Sequence, residues 1–412
     1  MAAEQDMSLD VNHRDPEFLA NPFPIFKRLR DEEPIHWSPN LRGWVLTRYE
    51  DVREVLVGDD MTSDRMSPFF NRVSGEERNK IRDLIHYLGK WAVFRDPPEH
   101  THLRNLMNQP FTPRIVEKMR TTIEGLVADM IDGVAETGRM DVISDLAYPL
   151  PATVMMDLLG VPRSELDLVK HWSDDIALFI GSAQSAEDKY AKAQAATHDM
   201  AEYFRSMIEE RKKSPKDDLT TGMLEARERG EMLSEDELIG NCILLLFAGH
   251  ETTTNLMGNG MLALMRNRDQ LDLLNDQPQL VSSAVEELLR YDGPSGSQVR
   301  IVARELEMNG KTLNEGDRIF AFVNAGNRDE RRFTNPDTLN IARKRNRHLT
   351  FGQGIHFCLG APLARLESQI AIREMSKRLK DVDLAIPETD LQFIDSVVLR
   401  GVKSLPVEFE AA

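Results

Sequence analysis

The stretch Phe351-Gly352-Gln353-Gly354-Ile355-His356-Phe357-Cys358-Leu359-Gly360 is the most informative part of the sequence. Its paired glycines, Gly352 and Gly354, allow the backbone to turn sharply and to approach a flat, bulky group. A helical pattern begins at Ala361, so the N–H groups and dipole at the start of that helix would stabilise a thiolate at Cys358. A thiolate held in this way is a good axial ligand for iron.

Taken alone, the same stretch allows a second interpretation, a glycine turn followed by a buried cysteine that behaves as a small hydrophobic residue. A zinc site is disfavoured, because zinc needs four ligands and the sequence has no second Cys/His cluster. The chain has only two cysteines, Cys242 and Cys358. This number excludes a disulfide framework and favours a reducing, cytoplasmic compartment.

The pattern F-G-x-G-x-H-x-C-x-G at residues 351–360 resembles the haem-binding signature of the cytochrome P450 family of haem-thiolate monooxygenases, and the chain is most similar to its soluble bacterial members. The resemblance implies a mainly α fold, with a large helical body and a small β-rich part, as a single domain over residues 1–412. It also implies haem b (iron protoporphyrin IX) as the cofactor, with Cys358 as the metal ligand. His356 would meet a haem propionate, and Phe351 would contact the cofactor.

A second motif, Ala248-Gly249-His250-Glu251-Thr252-Thr253, lies in a helix that should begin at Ser234, where Ser234 to Glu237 forms a capping box. Residues 238–247 are apolar on nearly all faces, which predicts a helix through the core. A buried acid and hydroxyl cost free energy unless they are paired. They could pair within the protein, with Thr252 bonding back to its own helix and Glu251 in a salt bridge.

The same motif resembles the acid–alcohol pair in the family's oxygen-activating helix. The resemblance implies that Thr252 and Glu251 are catalytic and relay protons to dioxygen. It places Ala248 and Gly249 beside the haem, where the missing side chain of Gly249 would leave space for substrate and oxygen.

Two further segments resemble sites of the same family. Asp96 to Arg104 resembles D-P-P-x-H-x-x-x-R, which implies that His100 and Arg104 bind haem propionates, with Arg300 as a further propionate ligand. Without the resemblance, the segment would be an ordinary polar helix start. Cationic partners are what two buried carboxylates require.

Glu287 and Arg290 lie three residues apart, on one helix face. Alone they would be an everyday surface pair. The segment resembles the family's E-x-x-R motif, which implies a buried structural network with Arg343 as third member. Breaking such a network would leave an unpaired buried charge.

The charge balance argues against nucleic acid and anionic membranes as partners. The 412 residues include 68 acids and 51 bases, a formal net charge of −17. The N-terminus lacks the pattern of a signal peptide, and the longest apolar stretch, residues 242–249, is far too short for a bilayer crossing. We therefore expect a soluble, cytoplasmic protein without a membrane anchor.

Periodicity predicts the coarse organisation of the chain. Helices are predicted over residues 115–135, 186–212 and 270–290. Strands are predicted over 43–47, 299–303 and 318–321, with a terminal hairpin over 397–409 around Gly401. Residues 58–98 are expected to form a long irregular connection, which is often functional.

Monooxygenation consumes two electrons, and the sequence contains no flavin, dinucleotide or iron–sulfur motif. We therefore expect a separate ferredoxin and ferredoxin reductase to supply them. A basic run near the haem motif, with Arg365, predicts a docking site for an acidic ferredoxin. Its members are Lys344, Arg345, Arg347 and Arg365, to which Arg104 would add if it were partly exposed.

The pocket is expected to be apolar, which predicts a hydrophobic small organic substrate. Its expected residues are Leu245, Ala248, Val299 and Val397, and Phe69, Phe70, Ile85 and Trp91 are further candidates. Two alternatives stay open at this point. One is a haem-binding sensor or ligand carrier, which would not need Glu251 and Thr252. The other is a peroxide-driven hydroxylase of the same fold, whose known examples typically lack this pair.

Overall fold

The computed structural model describes residues 9–181, 188–228 and 234–411. The described residues are mainly helical. The α-helices are α1 (Pro16–Ala20), α2 (Phe23–Glu32), α3 (Tyr49–Val57), α4 (Ser67–Arg72), α5 (Gly75–Lys80), α6 (Arg82–Leu88), α7 (Glu99–Met107), α8 (Pro113–Glu117), α9 (Arg120–Ala135), α10 (Pro149–Leu159), α11 (Leu166–Gly181), α12 (Lys189–Lys213), α13 (Leu219–Glu228), α14 (Glu235–Arg266), α15 (Arg268–Asp276), α16 (Val281–Asp292), α17 (Val323–Gly326) and α18 (Ala361–Arg378).

The strands form three small sheets. The strands are β1 (Ile35–Ser38), β2 (Gly43–Leu46), β3 (Met61–Thr62), β4 (Arg139–Asp141), β5 (Ser297–Val302), β6 (Leu306–Met308), β7 (Lys311–Leu313), β8 (Arg318–Phe322), β9 (Leu379–Leu384) and β10 (Pro406–Ala411). The largest sheet has the order β1-β2-β8-β5-β3, and only its β2–β8 pair is parallel. The others are β4-β10-β9 and the β6–β7 hairpin. A large helical body with a minor sheet is therefore confirmed.

Helix α14 is the centre of the hydrophobic core. Ser234 and Glu237 form the predicted capping box at its start, and the apolar run from Leu238 to Phe247 is buried. The helix packs against α10, α16, α18 and α12, so apolar side chains surround it on most sides. None of the described helices combines the length and the apolar character needed to cross a membrane.

Two of the predicted helices are shorter or broken in the structure. Pro278 interrupts the helix predicted over 270–290 and starts a 3-10 turn between α15 and α16, because proline lacks the N–H that a helix interior needs. The predicted helix over 115–135 is divided into α8 and α9. The predicted helix over 186–212 is found as α12 from Lys189, while residues 186 and 187 lie outside the described residues.

The prediction of an irregular connection over residues 58–98 was wrong. This segment contains β3, α4, α5 and α6. The three helices have only six or seven residues each, too few to produce a recognisable apolar period.

The predicted terminal hairpin over 397–409 was also wrong. Leu399 bridges to Ser295, Val402 bridges to Phe393, and β10 pairs with β4 and β9. Gly401 has a different role from a hairpin turn, because a Cβ atom at this residue would lie 2.1 Å from Oδ1 of Asn255. The glycine permits close packing of this segment on α14.

The three residues predicted to form a structural network meet in the interior. Glu287 and Arg290 are fully buried and form a bidentate ion pair at 2.8 Å, and Nε of Arg343 lies 2.9 Å from Glu287 Oε2. Arg290 also donates to the carbonyl oxygens of Asn327 and Pro336. The network thus joins α16 to the segment that leads to the Cys358 loop.

We predict that Glu287→Gln destabilises the protein strongly. The neutral amide would leave two guanidinium groups without a buried counter-charge, which typically costs about 3–5 kcal/mol. Urea unfolding at neutral pH measures the loss. The control is Asp31→Asn in the exposed Lys27–Asp31 pair, where we expect a change below about 1 kcal/mol. Equal losses in the two variants would contradict a structural role for the network.

Candidate active site

The loop before α18 places a thiol in a cavity. Gly352 and Gly354 both have φ of 69°, which side chains rarely tolerate, and Cys358 N–H donates to the carbonyl of Phe351 at 2.8 Å. These constraints close the loop, and Cys358 reaches the cavity just before α18 begins at Ala361. The predicted glycine turn and helix start are thereby confirmed.

Burial raises the pKa of the Cys358 thiol, and the groups around the sulfur partly offset this effect. The N–H groups of Gly360 and Ala361 and the positive charges of Arg104 and Arg365 act in the opposite direction to burial. N–H donors and cations directed at a sulfur atom stabilise a thiolate, which is the form that binds a metal. The described residues contain no group of three His, Cys, Asp or Glu side chains able to hold a metal ion, so this sulfur lacks the protein partners of a zinc site.

The cavity has an empty volume of about 1300 Å³, part of it open to solvent. Cys358 lines it together with residues of α14, and most of its remaining lining is apolar. Its apolar side chains include Met107, Phe111, Met155, Leu244, Leu245 and Leu256. The space can therefore accommodate a large flat ligand with a smaller hydrophobic molecule beside it.

Imidazole and guanidinium groups converge near one edge of this cavity. The rings of His100 and His356 lie 4.2 Å apart between centroids, and Nδ1 of the buried His100 has no hydrogen-bond partner among the described residues. His356 Nε2 contacts Ser63 Oγ at 2.9 Å. Arg104 donates to the carbonyl of Phe357, and Arg300 is buried close to His356 although it does not line the cavity.

The cluster has an uncompensated positive potential. Burial, followed by His100, Arg300 and Arg104, lowers the pKa of His356 to about 3. Burial lowers the pKa of Arg300 to about 10, opposed by the nearby carboxylate of Asp96. Such a cluster fits a ligand with carboxylate groups.

Arg65 belongs to this cluster and was missed by the sequence analysis. Its guanidinium carbon lies 4.8 Å from the ring centroid of Phe94, and its pKa is lowered to about 10 by burial and by the neighbouring charges of Arg300 and Arg318. No ion pair to Arg65 is formed within the described chain. No motif or periodicity pointed to Arg65, because it lies in the segment expected to be irregular.

The helical period of α14 separates its polar residues into two groups. Ala248, Gly249 and Thr252 line the cavity, as predicted, and the hydroxyl of Thr252 lies 3.4 Å from the carbonyl of Ala248. His250 and Glu251 do not line it. Oε1 of Glu251 is 3.5 Å from Nε2 of His250, and the Glu251 side chain is 16% exposed.

The space beside Gly249 is already filled by a neighbouring side chain. A Cβ atom at this position would lie 2.4 Å from Cγ of Met155, which also lines the cavity. The missing side chain therefore accommodates Met155, whereas the sequence analysis expected it to leave room for substrate and oxygen.

Glu367 is a second residue that the sequence analysis missed. It lines the cavity from α18, is 1% exposed, and neither carboxyl oxygen has a hydrogen-bond partner among the described residues. Burial raises the pKa of the Glu367 carboxyl well above its ordinary value, which favours the neutral form. Its spacing from Gly360, Leu363 and Ala364, on one helical face, is a signal that could have found it.

Two of the four expected pocket residues line the cavity, namely Leu245 and Ala248. Val299 does not, because side chains alternate along a strand and it is the adjacent Gln298 of β5 that faces the cavity. Val299 packs in a separate core cluster, against which Val397 also packs. Both expectations are corrected accordingly.

The four further pocket candidates, which lie in the 61–95 segment, pack elsewhere in the protein. Trp91 stacks on Phe94 and Phe247, and Phe69 packs on Phe179 and Tyr190. Phe70 and Ile85 belong to the core or pack against it. From this segment it is Ala92 and Val93 that line the cavity.

The expected docking residues divide into two kinds. Lys344, Arg345 and Arg347 are exposed, and no ion pair connects them to the described residues. Arg365 instead forms a bidentate ion pair with Glu286 at 2.6 and 3.0 Å, and its guanidinium lies over the ring of Phe351. This environment corrects the expectation of a free cation at Arg365.

Two exposed apolar residues adjoin Cys358. Ile355 is 52% exposed and Phe357 is 41% exposed. Both belong to the glycine-rich loop, yet neither lines the cavity, so they face the outside of the protein. The sequence analysis had not singled them out.

Comparison with known proteins agrees with this architecture. The family model "Cytochrome P450" matches residues 40–395. The polyketide biosynthesis cytochrome P450 PksS of Bacillus subtilis is 37% identical, over 95% of this chain and 96% of its own length.

Two solved structures are similar over nearly the whole chain. CalO2 has a TM-score of 0.90 at 31% identity, covering 97% of this chain and 99% of its own. P450BioI, in complex with an acyl carrier protein ligated with hexadec-9Z-enoic acid, has a TM-score of 0.89 at 34% identity, covering 96% and 99%. The extent of these matches and the arrangement around Cys358 lead to one conclusion: the chain belongs to the cytochrome P450 family, it has the fold of that family, and it is an enzyme of the monooxygenase class, for which the family implies a haem-thiolate cofactor.

Proposed function

We propose that this enzyme hydroxylates, or otherwise oxidises, a hydrophobic small organic molecule with dioxygen and electrons from a ferredoxin and its reductase. The observation that carries the proposal is the placement of Cys358 and Thr252 in one apolar cavity. The overall reaction converts R–H, dioxygen, two protons and two electrons into R–OH and water. The electrons come from the ferredoxin, and the protons come from solvent through the protein.

The cofactor in this proposal is haem b, whose iron the sulfur of Cys358 would hold. Its two carboxylates would bind to the cluster of His100, Arg104, Arg300 and His356. Arg65 adds a third guanidinium to those of Arg104 and Arg300. Against the carboxylate of Asp96, these three arginines leave a surplus of two positive charges, which matches the two carboxylates of the haem. Phe351, Ala248 and Gly249 would contact the porphyrin. When bound, the haem-thiolate centre supplies the activation of dioxygen.

The chain itself would control the protons. Thr252 has its hydroxyl at the cavity wall, where it can donate or accept a hydrogen bond. Glu251 is one residue further back and partly exposed, so it can exchange protons with solvent. This order, solvent to Glu251 to Thr252 to the cavity, supports a proton relay.

The same pair supports dioxygen over the two alternatives. A sensor or ligand carrier has no use for a proton relay, and a peroxide-driven hydroxylase receives its oxygen already reduced. An apolar cavity supports a hydrophobic substrate. In agreement, CYP267B1, 35% identical, was solved in complex with myristic acid.

The electron donor is proposed to dock on a surface that we call the loop face, made of Lys344, Arg345, Arg347, Ile355 and Phe357. All five residues are exposed, and exposed apolar and cationic side chains near one another in the sequence suit a transient protein interface. An acidic ferredoxin complements the charge of the three cations. These cations stand out because the protein as a whole has a formal charge of −17.

The cytoplasmic location and the single-domain organisation over residues 1–412 stay predictions. The two described cysteines, Cys242 and Cys358, are both free, which agrees with a reducing compartment.

Replacement of the sulfur ligand tests the central assignment. We expect Cys358→Ala to abolish the thiolate-type absorption of the reduced carbonyl complex, because no other described thiol lines the cavity. Cys242→Ala is the matched control, since Cys242 is fully buried and lies elsewhere on α14, and it should keep the spectrum. A thiolate-type spectrum in Cys358→Ala would overturn the assignment.

The relay predicts a specific loss of coupling in Thr252→Ala. Without the Thr252 hydroxyl, proton delivery to the cavity is disturbed. The electrons should then reduce dioxygen to hydrogen peroxide, while the haem content stays normal. We expect about tenfold less product per electron, a modest effect for lost proton transfer. Thr252→Ser keeps the hydroxyl and should restore coupling. Full coupling in the alanine variant, measured as product per NAD(P)H, would refute the relay.

Charge reversal tests the loop face. We expect the combined variant Lys344→Glu, Arg345→Glu and Arg347→Glu to slow reduction by an acidic ferredoxin about tenfold or more at low salt, with a smaller difference at high salt. The control is Lys213→Glu at the end of α12, which packs on α11 and α6. Stopped-flow reduction rates give the comparison. Equal, salt-independent rates in all variants would exclude docking at this surface.

A further inference from the structure

His250 is a fully buried imidazole whose hydrogen bonding determines where its proton lies. Nδ1 is 2.7 Å from the carbonyl oxygen of Leu246. A carbonyl only accepts hydrogen bonds, so Nδ1 carries a proton. In the neutral ring Nε2 is then an acceptor, and it has no hydrogen-bond partner among the described residues. An unsatisfied buried nitrogen of this kind calls for a functional or structural reason.

The group nearest to this nitrogen is the carboxyl of Glu251. Nε2 and Oε1 are 3.5 Å apart, slightly longer than a hydrogen bond and within reach of a small rotation of the Glu251 side chain. A protonated Glu251 would donate to Nε2, and an ionised Glu251 would accept from an imidazolium. Both arrangements contain a single proton between the two side chains.

The other groups around the His250 ring are Tyr148 and the charged residues beside it. The ring of Tyr148 lies edge-on at 5.4 Å, and its buried hydroxyl has no described hydrogen-bond partner. Burial raises the pKa of Tyr148, and the charges of Asp174, Glu251 and Asp167 raise it further, so the phenol stays protonated. Lys170, paired with Asp174, lies beyond this ring. Among the residues that the structure describes, Glu251 is thus the carboxylate within ion-pair distance of Nε2.

We propose that His250 is a positioning residue of the proton relay and that it shares one proton with Glu251. The inference rests on the proposed function, because it deepens the role assigned there to Glu251. The shared proton would pass from Glu251 towards Thr252. A proton from solvent would then reach the partly exposed Glu251 and restore the pair, so no net charge accumulates.

The two residues differ in their tasks. Glu251 exchanges protons with solvent, because part of its side chain is exposed. His250 holds the carboxyl in one orientation and offers Nε2 as the second site for the shared proton. With His250 removed, Glu251 would still function, but it would lose this orientation and this second site.

The experiment uses the haem-loaded enzyme without substrate, supplied with electrons by a heterologous ferredoxin and reductase. Dioxygen then ends as hydrogen peroxide with two electrons and two protons, or as water with four of each. Impaired proton delivery raises the peroxide fraction. The variants are His250→Phe, Glu251→Gln and the double variant, and exposed His198→Phe is the control. Peroxide formed per dioxygen consumed is measured between about pH 6 and pH 9, the range in which a histidine-linked proton is expected to titrate.

We expect His250→Phe to raise the peroxide fraction, to slow dioxygen consumption about tenfold and to change the pH profile. The effect should stay below the roughly hundredfold or larger loss from removing a direct acid–base group. The double variant should resemble Glu251→Gln, because the two residues act as one unit. His198→Phe should match the wild-type enzyme.

The remaining outcomes separate the two proposals. Additive losses in the double variant, or an unchanged level and pH profile in His250→Phe while Glu251→Gln is impaired, would overturn the role of His250 and leave the relay intact. A wild-type profile in Glu251→Gln would overturn the relay itself, and with it this inference. If His250→Phe fails to fold, His250→Gln replaces it. The glutamine amide can orient Glu251, but it cannot take up a proton. This variant should keep a rate close to that of the wild-type enzyme at low pH and should lack the wild-type pH profile.

Discussion

A sulfur atom that faces an apolar cavity needs hydrogen-bond donors before it can hold a negative charge, and the loop at residues 351–360 supplies them. Two glycines with positive φ close the loop, and the N–H groups at the start of α18 point at the sulfur. The direction of α18 depends in turn on its packing against α14 and α9. Thus the chemistry at Cys358 and the packing of the helical body depend on the same short segment.

At the edge of the cavity the described residues leave an excess of positive charge, because Asp96 is the one described carboxylate that acts on the three arginines there. Arg65, Arg104 and Arg300 are each buried enough to have a lowered pKa. Elsewhere the protein pairs its buried cations thoroughly, as at Arg290 with Glu287 and Arg400 with Asp292. The contrast distinguishes a site that a ligand completes from a network that is complete by itself.

Much of this arrangement could be predicted from the sequence, because the residues concerned occur in patterns with a fixed local geometry. The glycine spacing before Cys358, the capping box at Ser234 and the i, i+3 relation of Glu287 and Arg290 each determine a local structure. The sequence was less informative where the outcome depends on distant contacts. Arg365 is tied by Glu286, seventy-nine residues away in the chain, and Gly401 is explained by Asn255. The face that Val299 presents depends on strand register, which sequence alone left undetermined.

The order of residues along α14 shows how one helical segment serves several requirements at once. Successive side chains point about 100° apart, so Ala248 and Thr252, four residues apart, share the cavity face. His250 lies between them in sequence and therefore points away, towards Tyr148. Glu251 falls between these two directions, at the boundary between the interior and solvent. A shift of one residue in the register of α14 would bring the imidazole or the carboxyl to the cavity wall and displace the Thr252 hydroxyl from its position there. The contact of Gly249 with Met155 and the packing of α14 on α10 oppose such a shift, so the packing of the core also determines the path of the protons.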